Sequence, residues 1–183
     1  MKTLLGMTSE IPERVSQLIL HPFDYFQSLK GISGHKQSIL FSAFIGLVSA
    51  AVRFGIDLPK TPRLSVFLAV LVVFPIMCIL INLGSGYMCY TGWKIIGSKE
   101  KYPVSHACVS YISILLPVTI ALNAYFVFSV AVVINFILAG TYYTIATIKA
   151  HSITPTKAII SIAGVSAVQL CFYFLIRAAK TNI

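Results

Sequence analysis

The sequence predicts an all-α, polytopic transmembrane helical bundle of about five spans, preceded by short interfacial amphipathic helices. Three observations carry that expectation. Between Gln37 and Ile176 the chain runs through four or five long apolar stretches, none with an acidic residue in its interior. All five carboxylates, Glu10, Glu13, Asp24, Asp57 and Glu100, fall outside those stretches or in the segments between them. The 183 residues are 57% hydrophobic and 10% charged, with a mean hydropathy of +0.88, whereas a soluble domain carries about 25% charged residues. A run of about 20 apolar residues is long enough to cross the hydrocarbon core as a helix. A charge at its centre costs roughly 2.5–3.5 kcal/mol.

Residues 1–36 read as an N-terminal cytoplasmic or interfacial segment, and 37–183 as the five-span domain. The opening Met1-Lys2-Thr3-Leu4-Leu5-Gly6-Met7 lacks a continuous apolar core and runs into Thr8-Ser9-Glu10. The first span is therefore expected to act as its own insertion signal. Over residues 8–20, Ser9 suits an N-cap and Pro12 a first turn. Ile11, Val15, Leu18 and Ile19 then recur on one helical face. His21-Pro22 breaks that helix, and Phe23, Phe26 and Leu29 mark a second apolar stripe. Such stripes either lie in the headgroup plane or pack beneath the bundle as a lid.

The first span is expected at about 37–56, where Ser42, Gly46 and Ala50 form a small-residue row that admits a neighbouring helix closely. A second copy of the chain is one candidate for that neighbour. Asp57-Leu58-Pro59-Lys60-Thr61-Pro62-Arg63 reads as a loop, since two prolines exclude a helix. The second span, about 64–92, exceeds one perpendicular crossing. Tilt or a kink at Pro75 would absorb the surplus. Trp93 and Lys94 follow as an interfacial anchor pair. After the loop Gly97–Pro103, spans at about 104–121 and 125–148 form an antiparallel hairpin turning near Asn123, and a fifth span is expected at about 156–176.

Orientation follows from the basic residues. With the N-terminus inside, the inner side holds nine, namely Lys2, Arg14, Lys30, Lys36, Lys94, Lys99, Lys101, Lys149 and Lys157. The outer side holds five: Arg53, Lys60, Arg63, Arg177 and Lys180. The positive-inside rule thus predicts N-inside and C-outside, with a bacterial cytoplasmic membrane the expected host. Lys94, Lys99, Lys101, Lys149 and Lys157 are candidates for contacts with anionic lipid headgroups, each contributing about 1 kcal/mol near the surface. The formal charge of +9 is accounted for in this way rather than by nucleic acid, because the aromatic residues do not interleave with a basic patch.

Enzyme signatures are missing. There is no HExxH, no GxSxG, no Gly-rich phosphate loop and no paired intramembrane carboxylates, and Gly84-Ser85-Gly86 reads as close helix packing. Cys78, Cys89, Cys108 and Cys171 show no CxxC spacing, so no cofactor, zinc site or disulfide framework is expected. His21, His35, His106 and His151 all fall near the inner boundary, and His106 and His151 are the weak candidates for a metal, though no H-x3-H pair occurs. Asn82, Asn135, Thr141, Tyr142 and Tyr143 are neutral polar groups at membrane depth. They serve either as interhelical hydrogen bonds or as the lining of a polar pathway for an ion or neutral solute.

Several local patterns taken together resemble the Yip1-domain family in its short bacterial form. They are His21-Pro22-Phe23-Asp24-Tyr25-Phe26 ahead of the spans, Tyr111 and Pro117 in span three, and Thr144-Ile145-Ala146-Thr147-Ile148-Lys149-Ala150-His151 leading to Thr156-Lys157-Ala158. The resemblance covers about residues 20–178 and implies five spans with an inside N-terminus. Eukaryotic members organise transport vesicles and bind prenylated Rab-type GTPases, using a longer N-terminal region with an Asp-Leu-Tyr-Gly-Pro-like motif. This chain has nothing matching that motif. The reading that results is a non-enzymatic scaffold that organises membrane or recruits an unidentified membrane or cytoplasmic protein. A small channel or transporter is the alternative.

Overall fold

The computed structural model describes residues 11–57 and 64–164. The expected loop 58–63 and the distal part of the fifth span, from 165 onward, lie outside the described residues, as does the N-cap expected at Ser9. The α-helices described from end to end are α1 (Ile11–Leu20), α2 (Pro22–Ser28), α3 (Lys36–Asp57), α4 (Leu64–Ile95), α5 (Tyr102–Ile112), α6 (Leu115–Tyr125) and α7 (Phe128–Lys149). Residues 155–164 are helical as well, and no strand occurs among the described residues. Among the described residues four segments are long and apolar enough to cross a membrane: Lys36–Ile56, Leu68–Ile95, Tyr102–Tyr125 and Val130–Lys149. These are features of an integral membrane protein.

Helix α3 buries Ser38, Phe41, Ser42, Ile45, Gly46, Ser49 and Ala50. That stripe repeats at three and four residues, as one face of a helix requires, and it meets α4, α5 and α6. Helix α4 turns a much narrower stripe inward. Cys78, Asn82, Gly86 and Trp93 are buried, while Leu68, Val72, Val73, Ile76, Met77, Leu80 and Ile81 are exposed. A broad apolar surface on the outside of a packed bundle is what lipid contact demands, since hydrocarbon solvates leucine as readily as a protein core does. At 32 residues α4 is about 48 Å long, and its last turn joins the basic end of the bundle.

Helix α5 is the centre of the fold, with every residue from Val104 to Ile112 buried. The sequence pattern predicts one continuous helix here, but the chain breaks at Ser113–Ile114 before α6. Pro117 explains the break. Proline has no N–H to bond the carbonyl of Ser113, and its ring crowds that carbonyl. Leu116 N–H takes the Ser113 carbonyl instead, at 2.9 Å. The α6–α7 turn falls at Phe126 and Val127, both in extended conformations, a few residues beyond the expected position near Asn123.

Helices α1 and α2 fold back onto the bundle. Leu18, Tyr25, Phe26 and Leu29 are buried. Tyr25 meets Tyr111 edge-on at 5.0 Å, and Phe26 meets Tyr142 at 6.2 Å. Burying Leu18 or Phe26 contributes roughly 1.5–3 kcal/mol relative to exposure in water. Gly31, at φ +74°, supplies the left-handed turn that leads from this lid into α3.

Candidate functional site

The starts of α3 and α5 and the ends of α4 and α7 gather at one end of the bundle. Lys36, Lys94, Lys99 and Lys101 are exposed there, and Lys149 is half-buried with its ammonium over the Phe23 ring at 5.5 Å. Lys157, in the following helix, is exposed. Two histidine clusters are built into this basic end.

The first joins α3 to α5. His35 Nδ1 lies 3.0 Å from His106 Nδ1, and the Tyr102 ring packs against both imidazoles. Tyr87 and Tyr90 of α4 extend the aromatic group, with Lys94 over Tyr90 at 5.5 Å. His106 is fully buried, its Nε2 meets no hydrogen-bond partner among the described residues, and Gly86 lies so close that a Cβ there would come within 3.0 Å of the His106 Cα.

The second joins α4 to the chain after α7. Trp93 is buried, donates its indole N–H to Thr147 Oγ1 at 2.8 Å, and stacks on the His151 ring at 3.9 Å. His151 Nδ1 is 2.8 Å from Ser98 Oγ, which also accepts the Glu100 backbone N–H. Burial and the nearby Lys94 ammonium hold the His151 imidazole far below its ordinary range, at about 3, so it stays neutral at physiological pH. Trp93 is thus a clamp inside the fold, which corrects the expectation of a headgroup anchor. Its indole N–H finds a partner in Thr147, and the stacked His151 excludes lipid and water from its face.

Metal binding through His106 and His151 draws no support from this geometry. The two rings belong to separate clusters, and no group of three or more metal-ligating side chains occurs among the described residues. Ser98 and His151 resemble a nucleophile and base by distance alone. Ser98 is buried, and among the described residues His151 Nε2 meets no carboxylate or other partner that would orient the ring for proton transfer.

Deeper in the bundle the neutral polar residues sit at separate contacts. Asn82 donates both protons of its amide nitrogen, one to Ser42 Oγ at 2.9 Å and one to Ser113 Oγ at 3.1 Å. Those hydroxyls donate in turn to the carbonyls of Ser38 and Ser110. One amide therefore ties α3, α4 and the α5–α6 break together. Asn135 meets Thr119 Oγ1 at 2.9 Å, joining α6 to α7. Tyr142 reaches the Leu18 carbonyl at 3.5 Å, Tyr143 lies beside the Cys89 thiol, and exposed Thr141 bonds back to Ile137.

The small-residue row is occupied within the chain. A Cβ on Gly46 would lie 2.5 Å from Pro75 Cα, so α3 and α4 touch backbone to backbone at the proline. Ser42 and Ala50 are fully buried on either side.

The His35–His106 pair, Ser113 as the second partner of Asn82, and Thr147 as the partner of Trp93 are not visible in sequence spacing. The available signal was position, since His35 and His106 each stand near the start of a span entered from the same side. No protein-family model, no curated protein and no solved structure matches this chain.

Proposed function

We propose that this chain is a non-enzymatic integral membrane scaffold of Yip1 type, which organises lipid or recruits a protein partner at the inner face of a bacterial cytoplasmic membrane. The observation that carries the reading is the dispersal of the intramembrane polar groups. Asn82, Asn135, Tyr142 and Tyr143 each engage a different contact. A solute pathway needs such groups to converge on a shared lining, whereas a bundle that serves as a platform needs them only to hold its helices in register.

The basic end supports an N-inside orientation, with Lys94, Lys99, Lys101, Lys149 and Lys157 meeting anionic headgroups. Ile19, Leu20 and Phe23 of the lid are exposed, which suits a lid that packs on the bundle with one face and dips into the leaflet with the other. A homo-oligomer in this reading assembles through the outward faces of α4 or α7, because Ser42, Gly46 and Ala50 are buried. The Yip1 resemblance rests on the motif residues alone.

Native mass spectrometry of the protein extracted gently from its own membranes tests the proposal. A discrete protein partner, or a defined oligomer retaining anionic lipid, is the expected result. A bare monomer that conducts a solute in proteoliposomes, with flux abolished by Asn135→Leu, overturns it in favour of a channel or transporter.

A further inference from the structure

We propose that Tyr87 and Tyr90 of α4, with Tyr102 of α5, form the contact with the lipid-headgroup layer that sets the depth of this chain, and that the last two turns of α4 stand clear of the hydrocarbon. The inference rests on the membrane-spanning fold and holds whether the chain is a scaffold or a conduit.

Helix length poses the problem. A hydrocarbon core of about 30 Å takes about 20 residues of helix. Helices α3 and α7 have 22 residues each, whereas α4 has 32 and is about 48 Å long. Holding all of α4 in hydrocarbon would need a tilt of about 50°, outside the range of about 0–40° that membrane helices adopt. Some of α4 therefore leaves the core.

The contacts with α3 show which end does so. Gly46 meets Pro75, and Ser42 meets Asn82. Residue numbers fall along α3 as they rise along α4, so the two helices run antiparallel. From the Gly46–Pro75 crossing to the far end, α3 runs to Asp57 and α4 back to Leu64, about eleven residues each. Those ends are level. Toward the basic end α3 reaches only Lys36, while α4 continues to Ile95. The overshoot is about ten residues, or about 15 Å. Helix α5 agrees, since Gly86 packs on His106 near the α5 start at Tyr102, and α4 runs on past it.

The outward surface of α4 changes at the same level. Every exposed side chain from Leu68 to Ile81 is apolar, and Tyr87 is the first exposed one beyond them with a hydrogen-bonding group. Leu68 to Tyr87 spans about 30 Å, which matches the core thickness. Past Tyr87, the side chains of Thr91, Lys94 and Ile95 are exposed.

Three tyrosine rings gather at this boundary. Tyr87 and Tyr90 lie 6.1 Å and 5.9 Å from Tyr102. Tyr102 donates its hydroxyl to the Leu83 carbonyl at 2.9 Å, and the Lys94 ammonium lies over the Tyr90 ring. A ring with an apolar body and a polar tip is most favourable where hydrocarbon gives way to headgroups. Lys94, one turn further on, then stands at the level of the anionic phosphates. The anchor that buried Trp93 does not supply is supplied by these tyrosines.

The test places tryptophan probes in the full chain, reconstituted in vesicles of phosphatidylcholine and phosphatidylglycerol. The acyl chains carry bromine either near the headgroup or near the bilayer centre, and bromine quenches a tryptophan at its own depth. Trp93 is the single native tryptophan and is buried, so the wild-type chain supplies the background. Leu80→Trp, about 10 Å deeper than Tyr87, should lose emission chiefly to the deep bromine, and Tyr87→Trp chiefly to the shallow one. Ile95→Trp should be quenched by aqueous acrylamide and by neither bromine. Bromine quenching of Ile95→Trp as strong as that of Tyr87→Trp would overturn the boundary. So would a Tyr87→Trp that neither bromine reaches, because a second copy or a protein partner then covers that face. An unquenched Leu80→Trp would overturn the membrane placement itself, and this inference with it. Should a variant fail to fold, the wild-type chain in nanodiscs still decides. Met77 and Met88 are both exposed on α4, and hydroxyl radicals generated in water should convert Met88 to its sulfoxide while sparing Met77. Equal oxidation of the two would overturn the proposal.

Discussion

Trp93 lies flat on His151, with ring centroids 3.9 Å apart and the planes within 24°. The stack clamps the last turn of α4 to the chain reversal that follows α7. Its edges are closed by the Trp93–Thr147 and His151–Ser98 hydrogen bonds. The same packing that shields the indole from lipid keeps the imidazole neutral.

That neutrality has a pH signature. The folded-state value for His151 is depressed to about 3, while an unfolded histidine titrates near 6.5. Between those values the unfolded chain binds the extra proton, so stability rises with pH across this window and is lost as pH falls below about 6.5. The loss is at most about 1.4 kcal/mol per pH unit. His151→Phe keeps a flat ring on Trp93 and removes the proton site. It is expected to flatten the thermal-stability profile between about pH 6.5 and about pH 5, while costing about 1 kcal/mol at neutral pH for the lost Ser98 bond. An undiminished pH slope in this variant would locate the titration elsewhere.

Gly46→Ala places a methyl group against the Pro75 backbone, where a side chain cannot yield. Forcing the helices apart should cost roughly 1–3 kcal/mol, as overpacking does. Gly84→Ala is the control, because a Cβ there meets nothing within 4 Å among the described residues. It should be neutral or stabilising by up to about 1 kcal/mol through helix propensity. Unfolding in mixed micelles compares the two, and equal effects would refute the close α3–α4 contact.

Asn82→Leu removes two interhelical hydrogen bonds but leaves the Ser42 and Ser113 hydroxyls donating to their own helices. The expected cost is about 1 kcal/mol, near the measured scale for such bonds in membranes. Asn82→Asp keeps the shape and introduces a charge at depth. It should cost roughly 2.5–3.5 kcal/mol at neutral pH, with recovery on acidification as the carboxyl protonates. A loss in Asn82→Asp no larger than that in Asn82→Leu, with no recovery on acidification, would refute a buried site at this depth that excludes charge.

Ser152 has a left-handed backbone at φ 54° and an exposed side chain. A non-glycine residue there costs roughly 1–2 kcal/mol. Ser152→Gly should therefore raise the unfolding midpoint, offset by a few tenths of a kcal/mol through the greater freedom of glycine in the unfolded chain. A lowered midpoint would show that the Ser152 side chain supports the His151 turn.

Much of the architecture was legible because immersion in lipid is a property of each residue taken singly. Runs of apolar side chains, and the confinement of Glu100 and the lysines to their ends, marked four described spans to within a few residues. Pro117 and Pro75 were visible too, but not that one would break its helix while the other would lie inside α4 against Gly46. Only the tertiary structure decided those outcomes, along with the partners of the polar groups. His35 and His106 are 71 positions apart, and Asn82 reaches Ser42 across 40. Helix pairing in a bilayer rests on close backbone approach and directional hydrogen bonds. Both depend on how each helix is rotated about its axis, which the composition of a span leaves open.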